Sequence, residues 1–459
     1  MRLILMQKLL KQSDKITKYL VAAILLVMPI YPKFPFIDIP KTHVFIRLED
    51  FLMLIAGLYL LFFILRDIKG FLKDKVNYSV VLFLIVGLIS LISAIFVTKT
   101  VSPALGTLHW MRRIEYLMPL LLGTVVFRNT KSNLSFYIKT MLLALLIVFV
   151  YGIGQKHFVW PVIATQNEEV AKGIAQRFNP GSHLYSTFAG HYDLASYLVL
   201  TMPIIVALFY TLKGVKTRLV LAVAGLGGLW LMANALSRIS VVSYLGATTL
   251  ALLLIKKYKA IPVVVLISLI VFGFSSNLLD RYSQIFRVTR EKIKQQVVIP
   301  AKVYAQEGLE RRRDSQTRPT PPPVFEDRST SIRLNVEWPR AIRALRKNPL
   351  LGTGYSSITL ATDNDYLRLL GEVGILGFLA FFLYFARILL EGVHIFPLTK
   401  NFKGINLGFM AGIVGAIPGV LLNATFIDIF EASKFAITFW LLIGIALSIV
   451  RNEKIKKAS

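Results

Sequence analysis

Apolar runs of about the length a helix needs to cross a bilayer recur along the chain, separated by short polar connections. They predict spans near residues 16–31, 46–65, 77–97, 106–127, 133–154, 188–212, 217–235, 237–255, 259–275, 369–390, 404–424 and 431–450. The expectation is an all-α polytopic membrane protein with about twelve transmembrane helices, because a helix satisfies its own backbone in lipid. The first run, in KLLKQSDKITKYLVAAILLVMPIYP, has the basic flank and apolar centre of a signal peptide. It lacks a small-x-small cleavage site and more spans follow, so it is read as a retained first span.

Two connections are too long for the pattern, about 155–188 and 276–366. Loops of that length are functional or disordered far more often than merely connective. The expected organisation is an N-terminal membrane region of about nine helices (1–275), a loop domain (276–365) and a C-terminal membrane region of about three helices (366–459). Within the loop, RRRDSQTRPTPPP at 311–323 reads as a proline-rich linker. After it, 339–347 reads as a short helix with proline in its first turn and Arg340, Arg343 and Lys347 along one face. The next stretch, 348–382, starts as a glycine-containing polar loop and ends as an apolar helix. Asp363, Asn364, Asp365, Arg368 and Glu372 crowd its boundary, where ionisable groups are costly and mark function.

Charge fixes the expected orientation. The chain has 459 residues and a net charge of +28, and 55% of its residues are hydrophobic. Most basic residues flank spans: Arg66, Lys69, Lys73 and Lys75 in one loop, Lys213, Lys216 and Arg218 in another, Arg451 and Lys454 after the last span. All fall on one side if both termini are cytoplasmic, in an inner-membrane protein. Nucleic acid is therefore not the expected partner; membrane lipids are. Residues 281–350 break the rule, with sixteen basic and seven acidic residues in a loop expected outside. An anionic partner on that side explains the excess, as does a solvated surface touching outer headgroups. The chain has no cysteine, which excludes disulfides, thiolate catalysis and cysteine metal sites.

Several side chains carry candidate chemistry. Arg238, in NALSRISVVSYLG, stands at the outer end of a span, where it must snorkel, pair with an acid or bind an anion. A guanidinium grips a phosphate through two parallel hydrogen bonds. Arg177 and His191 lie in and after the first long loop, and Asp193 two residues on reads as a cap or helix-dipole partner. Five of six histidines (His43, His109, His157, His183, His191) fall at the outer side, but their spacing offers no zinc motif. Arg47, Glu49 and Asp50, and Arg112, Arg113 and Glu115, read as ion pairs inside the bundle. Asp363 or Glu372 can serve as general base; either can equally cap the helix or pair with Arg368. Gly352 and Gly354 permit a tight turn but make no nucleotide-binding loop.

These stretches match a known pattern. TFAGHYDLASYLVLTMP, ALSRIS, STSIRLNVEWPRAIRALRKNPLLGTGYSS and DNDYLRLLGEVGILG, in this order along the chain, together resemble the O-antigen ligase and O-antigen polymerase superfamily of envelope glycosyltransferases. The resemblance implies a GT-C-like membrane fold. It implies transfer of a glycan from a polyprenyl-diphosphate donor to a glycan or lipid acceptor on the outer face, without a metal or other cofactor. By motif match Arg238 and Arg333, and with longer spacing Arg177, hold the diphosphate; Arg340 and Asn364 join the substrate-binding set. Ligases of the family carry histidine where this chain has Asp363, a form closer to polymerases; His191 is an alternative base from the other loop. A flippase of lipid-linked sugars also accounts for many spans and intramembrane arginines, but not for the long loop leading into DNDYL. A scaffold for an envelope-synthesis complex is the third reading.

Overall fold

A computed structural model describes residues 2–38, 45–125, 133–163, 175–179, 181–273, 331–359 and 361–458. The linker at 311–323, the rest of 274–330, and His43 lie outside the described residues. A helix covers each run predicted to span. These are α1 (Arg2–Ile30), α2 (Leu48–Arg66), α4 (Lys75–Phe96), α5 (Pro103–Val125), α6 (Leu134–Phe158), α7 (His191–Thr211), α8 (Val215–Ala235), α9 (Arg238–Leu254) and α10 (Ala260–Gly273), then α12 (Asp365–Val393), α14 (Gly404–Ala424) and α15 (Ser433–Ala458). Short helices α3 (Ile68–Lys73), α11 (Trp338–Lys347) and α13 (Leu398–Asn401) connect them.

Among the described residues, eight helices are long and apolar enough to cross a membrane. They are α2, α4, α6, α7, α8, α12, α14 and α15. Helices α9 and α10 are apolar but have only 17 and 14 residues. The chain is thus a multi-pass, essentially all-helical membrane protein, and among the described residues a short hairpin departs from the all-α expectation. Before α2, β1 (Pro35–Asp38) pairs antiparallel with β2 (Phe45–Arg47), in the register Pro35 with Arg47 and Asp38 with Phe45. Pro35 stands first in its strand, where its missing N–H breaks no ladder bond.

Helix starts follow local chemistry. The Asp74 side chain accepts from the N–H groups of Val76 and Asn77, so α4 begins two residues before the predicted span. Asn364 caps α12 through Leu367 N–H at 2.9 Å, which starts that helix four residues earlier than the apolar run suggests. Packing sorts the helices into inner and outer members. Helix α15 is almost wholly buried and α7 largely so. Helix α14 packs on α7 and α9, α15 on α5, and α12 on α4. Helix α2 instead turns Leu54 and Phe62 outward, both more than half exposed, as suits a lipid-facing surface.

At one end of the bundle Arg451 ties three helices together. Its guanidinium donates to both Glu391 carboxylate oxygens at 2.9 Å and lies 2.8 Å from Asp74. The ends of α4, α12 and α15 are thereby joined at the end opposite to the start of α12.

Candidate active site

The segment before α12 folds back on the helix it feeds. Helix α12 is broken at Gly374, whose φ and ψ are 71° and −172°. A break frees backbone groups that a membrane interior cannot solvate. The preceding loop satisfies them: Thr353 N–H and Gly354 N–H donate to the Gly371 and Glu372 carbonyls at 2.9 and 2.8 Å. Ile375 N–H and Leu376 N–H donate to the Pro349 and Leu350 carbonyls at 2.9 and 3.1 Å. From α4, the Ser90 hydroxyl donates to the Leu351 and Glu372 carbonyls. The turn expected at Gly352 and Gly354 is present, with φ of +69° and +88°.

Glycine is required on both sides of this seam. A Cβ on Gly374 would lie 2.3 Å from the Leu350 carbonyl oxygen, and one on Gly352 would lie 2.5 Å from the Glu372 carbonyl. Both residues also have positive φ, so Gly374→Ala combines backbone strain with overlap. It should destabilise the protein by about 2–4 kcal/mol, read as a fall in thermal midpoint of the purified full-length protein. An unchanged midpoint would show that the seam relaxes freely.

The polar residues at the mouth of α12 form two layers. In the upper layer Arg333 donates from Nε and Nη2 to Asp363 Oδ2, at 3.0 and 2.7 Å. Arg333 lies in a π-helical turn, Arg333–Glu337, that runs straight into α11. Its Nη2 also donates to the Tyr192 hydroxyl at 3.4 Å. Asp363 has a positive φ of 49° and a partly buried side chain. Burial pushes its carboxyl up and Arg333 opposes that.

Tyr192 brings the start of α7, and hence His191, to this pair. The His191 ring lies 4.0 Å from that of Tyr192 and 4.2 Å from that of His183, centroid to centroid. A buried polar chain then runs across the bundle. Ser196 donates to the Tyr192 carbonyl at 2.7 Å, Asn423 to Ser196 at 2.8 Å and Ser240 to Asn423 at 3.0 Å. Ser240 also hydrogen-bonds Ser237 at 2.7 Å, beside half-buried Arg238, the first residue of α9.

The lower layer is a buried ion network. The Asp428 carboxylate, in the connection between α14 and α15, accepts from Thr362 N–H at 2.8 Å, Asn364 N–H at 2.9 Å and Arg368 Nη1 at 2.9 Å. Asp365 reciprocates: it accepts from Ile429 N–H at 2.8 Å and Phe430 N–H at 3.2 Å. Each connection thus holds the other's backbone with a carboxylate. Beneath, Glu372 lies 3.5 Å from Arg368 and 3.9 Å from Arg113, while Arg113 also bonds Glu431. Burial works against ionising Glu431, but Arg113 and Arg368 beside it hold its carboxyl well below the usual range. Next to the network is a cavity lined by Arg113, Tyr355, Asp365, Glu372, Tyr384 and Trp440 among others.

The structure therefore sorts the sequence candidates. It joins Arg333 to Asp363 and sets His191 and Arg340 on the elements around them. The Asn364 side-chain oxygen accepts the Leu367 N–H as the cap of α12. Glu372 belongs to the ion network, and among the described residues its ion partners are Arg368 and Arg113. Arg177 is exposed beside the Val162–Gln176 bridge, and no contact among the described residues brings it to Arg333. Arg47 does face Glu49, at 4.0 Å, whereas Arg113 finds its acids on α12 and after α14 rather than at Glu115. Among the described residues, no group of three histidine, aspartate or glutamate side chains is placed to hold a metal ion.

Sequence reasoning missed Asp428 and Glu431, Tyr192 and Glu337. Two acids in the short connection TFIDIFE between two spans were the available signal. Tyr192 lies in TFAGHYDLASYLVLTMP, where nothing in the sequence alone sets it apart.

No curated protein matches the chain. Residues 221–382 match the family model described as O-antigen ligase. That region contains Arg238, Arg333, Asp363 and Glu372, and so both members of the upper layer. Over this region the chain is similar to the O-antigen ligase family, and the domain indicates an O-antigen ligase or polymerase type of glycan-processing function in a multi-pass membrane protein.

Proposed function

We propose that the protein is an inverting glycosyltransferase of the outer face of the cytoplasmic membrane. It takes a glycan from a polyprenyl-diphosphate donor and joins it to a hydroxyl of a glycan or lipid acceptor. The observation that carries this reading is the Arg333–Asp363 pair at the mouth of α12, an anion-binding fork in contact with a carboxylate. Arg333, together with Arg238, supplies fixed positive charge for the diphosphate. Such charge stabilises the leaving group as the glycosidic bond breaks. A carboxylate of the same site takes the proton of the attacking hydroxyl.

The polar chain from Tyr192 to Ser240 supports a shared substrate cleft, because it fixes the start of α9 relative to the start of α7. The lower ion network has a supporting role. It clamps residues 362–365 so that Asp363 keeps its left-handed backbone conformation.

A deletion strain tests the reading. The donor should accumulate in the outer leaflet and long-chain surface glycan should be lost. The wild-type gene should restore the glycan, and Arg238→Ala should restore it poorly while reaching normal protein levels. Accumulation of donor in the inner leaflet would favour a flippase instead.

A further inference from the structure

Glu337, Trp338 and Arg340 leave polar atoms unused beside the Arg333–Asp363 pair. Glu337 Oε2, Trp338 Nε1 and Arg340 Nη1 are all buried, and none has a hydrogen-bond partner among the described residues. Buried polar atoms in native proteins are almost always satisfied, so three unsatisfied atoms within four residues call for an explanation. Their placement has a local cause. The π-turn closes with Trp338 N–H on the Arg333 carbonyl, five residues back. One extra residue in the turn re-aims the side chains that follow, a device frequent at functional sites. The charges acting on Glu337 are those of Asp363, Arg333, Asp428 and Arg340, which sets it against the same cluster.

The two carboxylates of this cluster differ in what their oxygens are doing. Asp363 Oδ2 receives two N–H groups from Arg333. That oxygen is committed to the guanidinium: it orients Arg333 well and is poorly placed to take a hydroxyl proton as well. Glu337 keeps a buried oxygen with open lone pairs. We infer that Glu337 is the general base of the transfer reaction and that Asp363 is the positioning residue for Arg333, with Trp338 and Arg340 donating to hydroxyl groups of the sugar at the same subsite. This inference rests on the transferase reading above.

The step balances simply. The acceptor hydroxyl passes its proton to Glu337 Oε2 as its oxygen bonds the anomeric carbon. The bond from that carbon to the phosphate oxygen breaks, and its electron pair leaves on the diphosphate. Protonated Glu337 then returns the proton to water. Burial, and next the Asp363 carboxylate, push the Glu337 carboxyl up to about 7, against the opposing pull of Arg333 and Arg340. A base near neutrality is half ionised at its working pH and still strong enough to accept the proton. Because the ionised form is the active one, the rate should rise as the pH passes about 7.

The test uses full-length protein in lipid nanodiscs, with undecaprenyl diphosphate as the binding probe and the lipid-linked glycan extracted from the deletion strain as the transfer substrate. Glu337→Gln should lower kcat about 100- to 10,000-fold, while undecaprenyl diphosphate binding, the donor KM and the melting temperature stay at wild-type values. Glu337→Asp should keep part of the rate and move the midpoint of the pH–rate profile. Asp363→Asn should instead raise the donor KM, because Arg333 loses its holder. Transfer by Glu337→Gln within about threefold of wild type, or an unmoved pH midpoint in Glu337→Asp, would overturn the inference. Wild-type protein that neither binds undecaprenyl diphosphate nor transfers glycan would overturn the transferase reading itself, and the inference with it.

Discussion

Replacing Arg333 by alanine is expected to reduce glycan transfer about 100- to 1,000-fold, the range found when one group that stabilises developing negative charge is removed. Two effects act together. The diphosphate loses a preorganised guanidinium, and Asp363 loses the partner that offsets its burial. Arg333 and Asp363 have side chains only 12% and 21% exposed, so neither charge is well solvated alone. Arg333→Lys keeps the charge but presents a compact ammonium in place of a planar fork. It cannot reproduce two parallel donors, and transfer should recover only in part.

The two effects can be separated by a double-mutant cycle. Arg333→Ala alone leaves an unpaired carboxylate and should lower the melting temperature as well as the rate. Arg333→Ala with Asp363→Asn removes both charges and should regain thermal stability without regaining transfer. If the single Arg333→Ala variant transfers glycan at the wild-type rate, Arg333 has no part in the chemistry. The measurements are the transfer rate with the extracted lipid-linked glycan and the thermal midpoint of each variant.

Asp428→Ala should be the most damaging change to stability, at about 3–5 kcal/mol, as for breaking a buried ion pair by removing one partner. The carboxylate accepts from two backbone N–H groups and from Arg368. Its loss orphans both N–H groups and leaves a guanidinium beside Glu372 and Glu431 with one acid fewer. Orphaned buried donors each cost their own desolvation. Asp428→Asn keeps acceptor capacity through its amide oxygen and should cost less. Both variants should also lose transfer, since residues 362–364 carry Asp363. The check is denaturant unfolding in detergent alongside the transfer assay. Wild-type stability in Asp428→Ala would refute the clasp as the element that sets the Asp363 loop.

The membrane class was readable because its cause is local. A run of apolar residues about 20 long has few alternatives to a helix in lipid, whatever its neighbours do. Hence a helix covers every predicted run, and the short helix expected over 339–347 begins at Trp338 with Pro339 in its first turn. Boundaries shifted where a single side chain decided them, as with Asn364 and Asp74, because caps lie outside the hydrophobic pattern. Pattern could not reveal the break in α12 either. GEVGILG reads as helix throughout, and the groups that the break frees are satisfied by the loop 349–354, docked alongside, and by Ser90 of α4.

Sequence also marked most of the chemistry by type. Arg238, Asp363 and Glu372 stand out as charged residues next to membrane runs, where such groups are costly, and Arg333 is marked by its motif match alone. Which of them meet was decided by tertiary structure alone. Arg333 and Asp363 are thirty residues apart and join because a π-turn on one side and a left-handed residue on the other aim them together. Arg113 reaches Glu431 across more than three hundred residues of chain. Glu372, as plausible a base as Asp363 on spacing, is drawn into an ion network by helices α5 and α12 and the turn after α14. The division has a physical reason. Transfer of a segment into lipid depends on its own composition, whereas pairing of charges depends on direction and distance at the scale of a single hydrogen bond, which only the packed bundle sets.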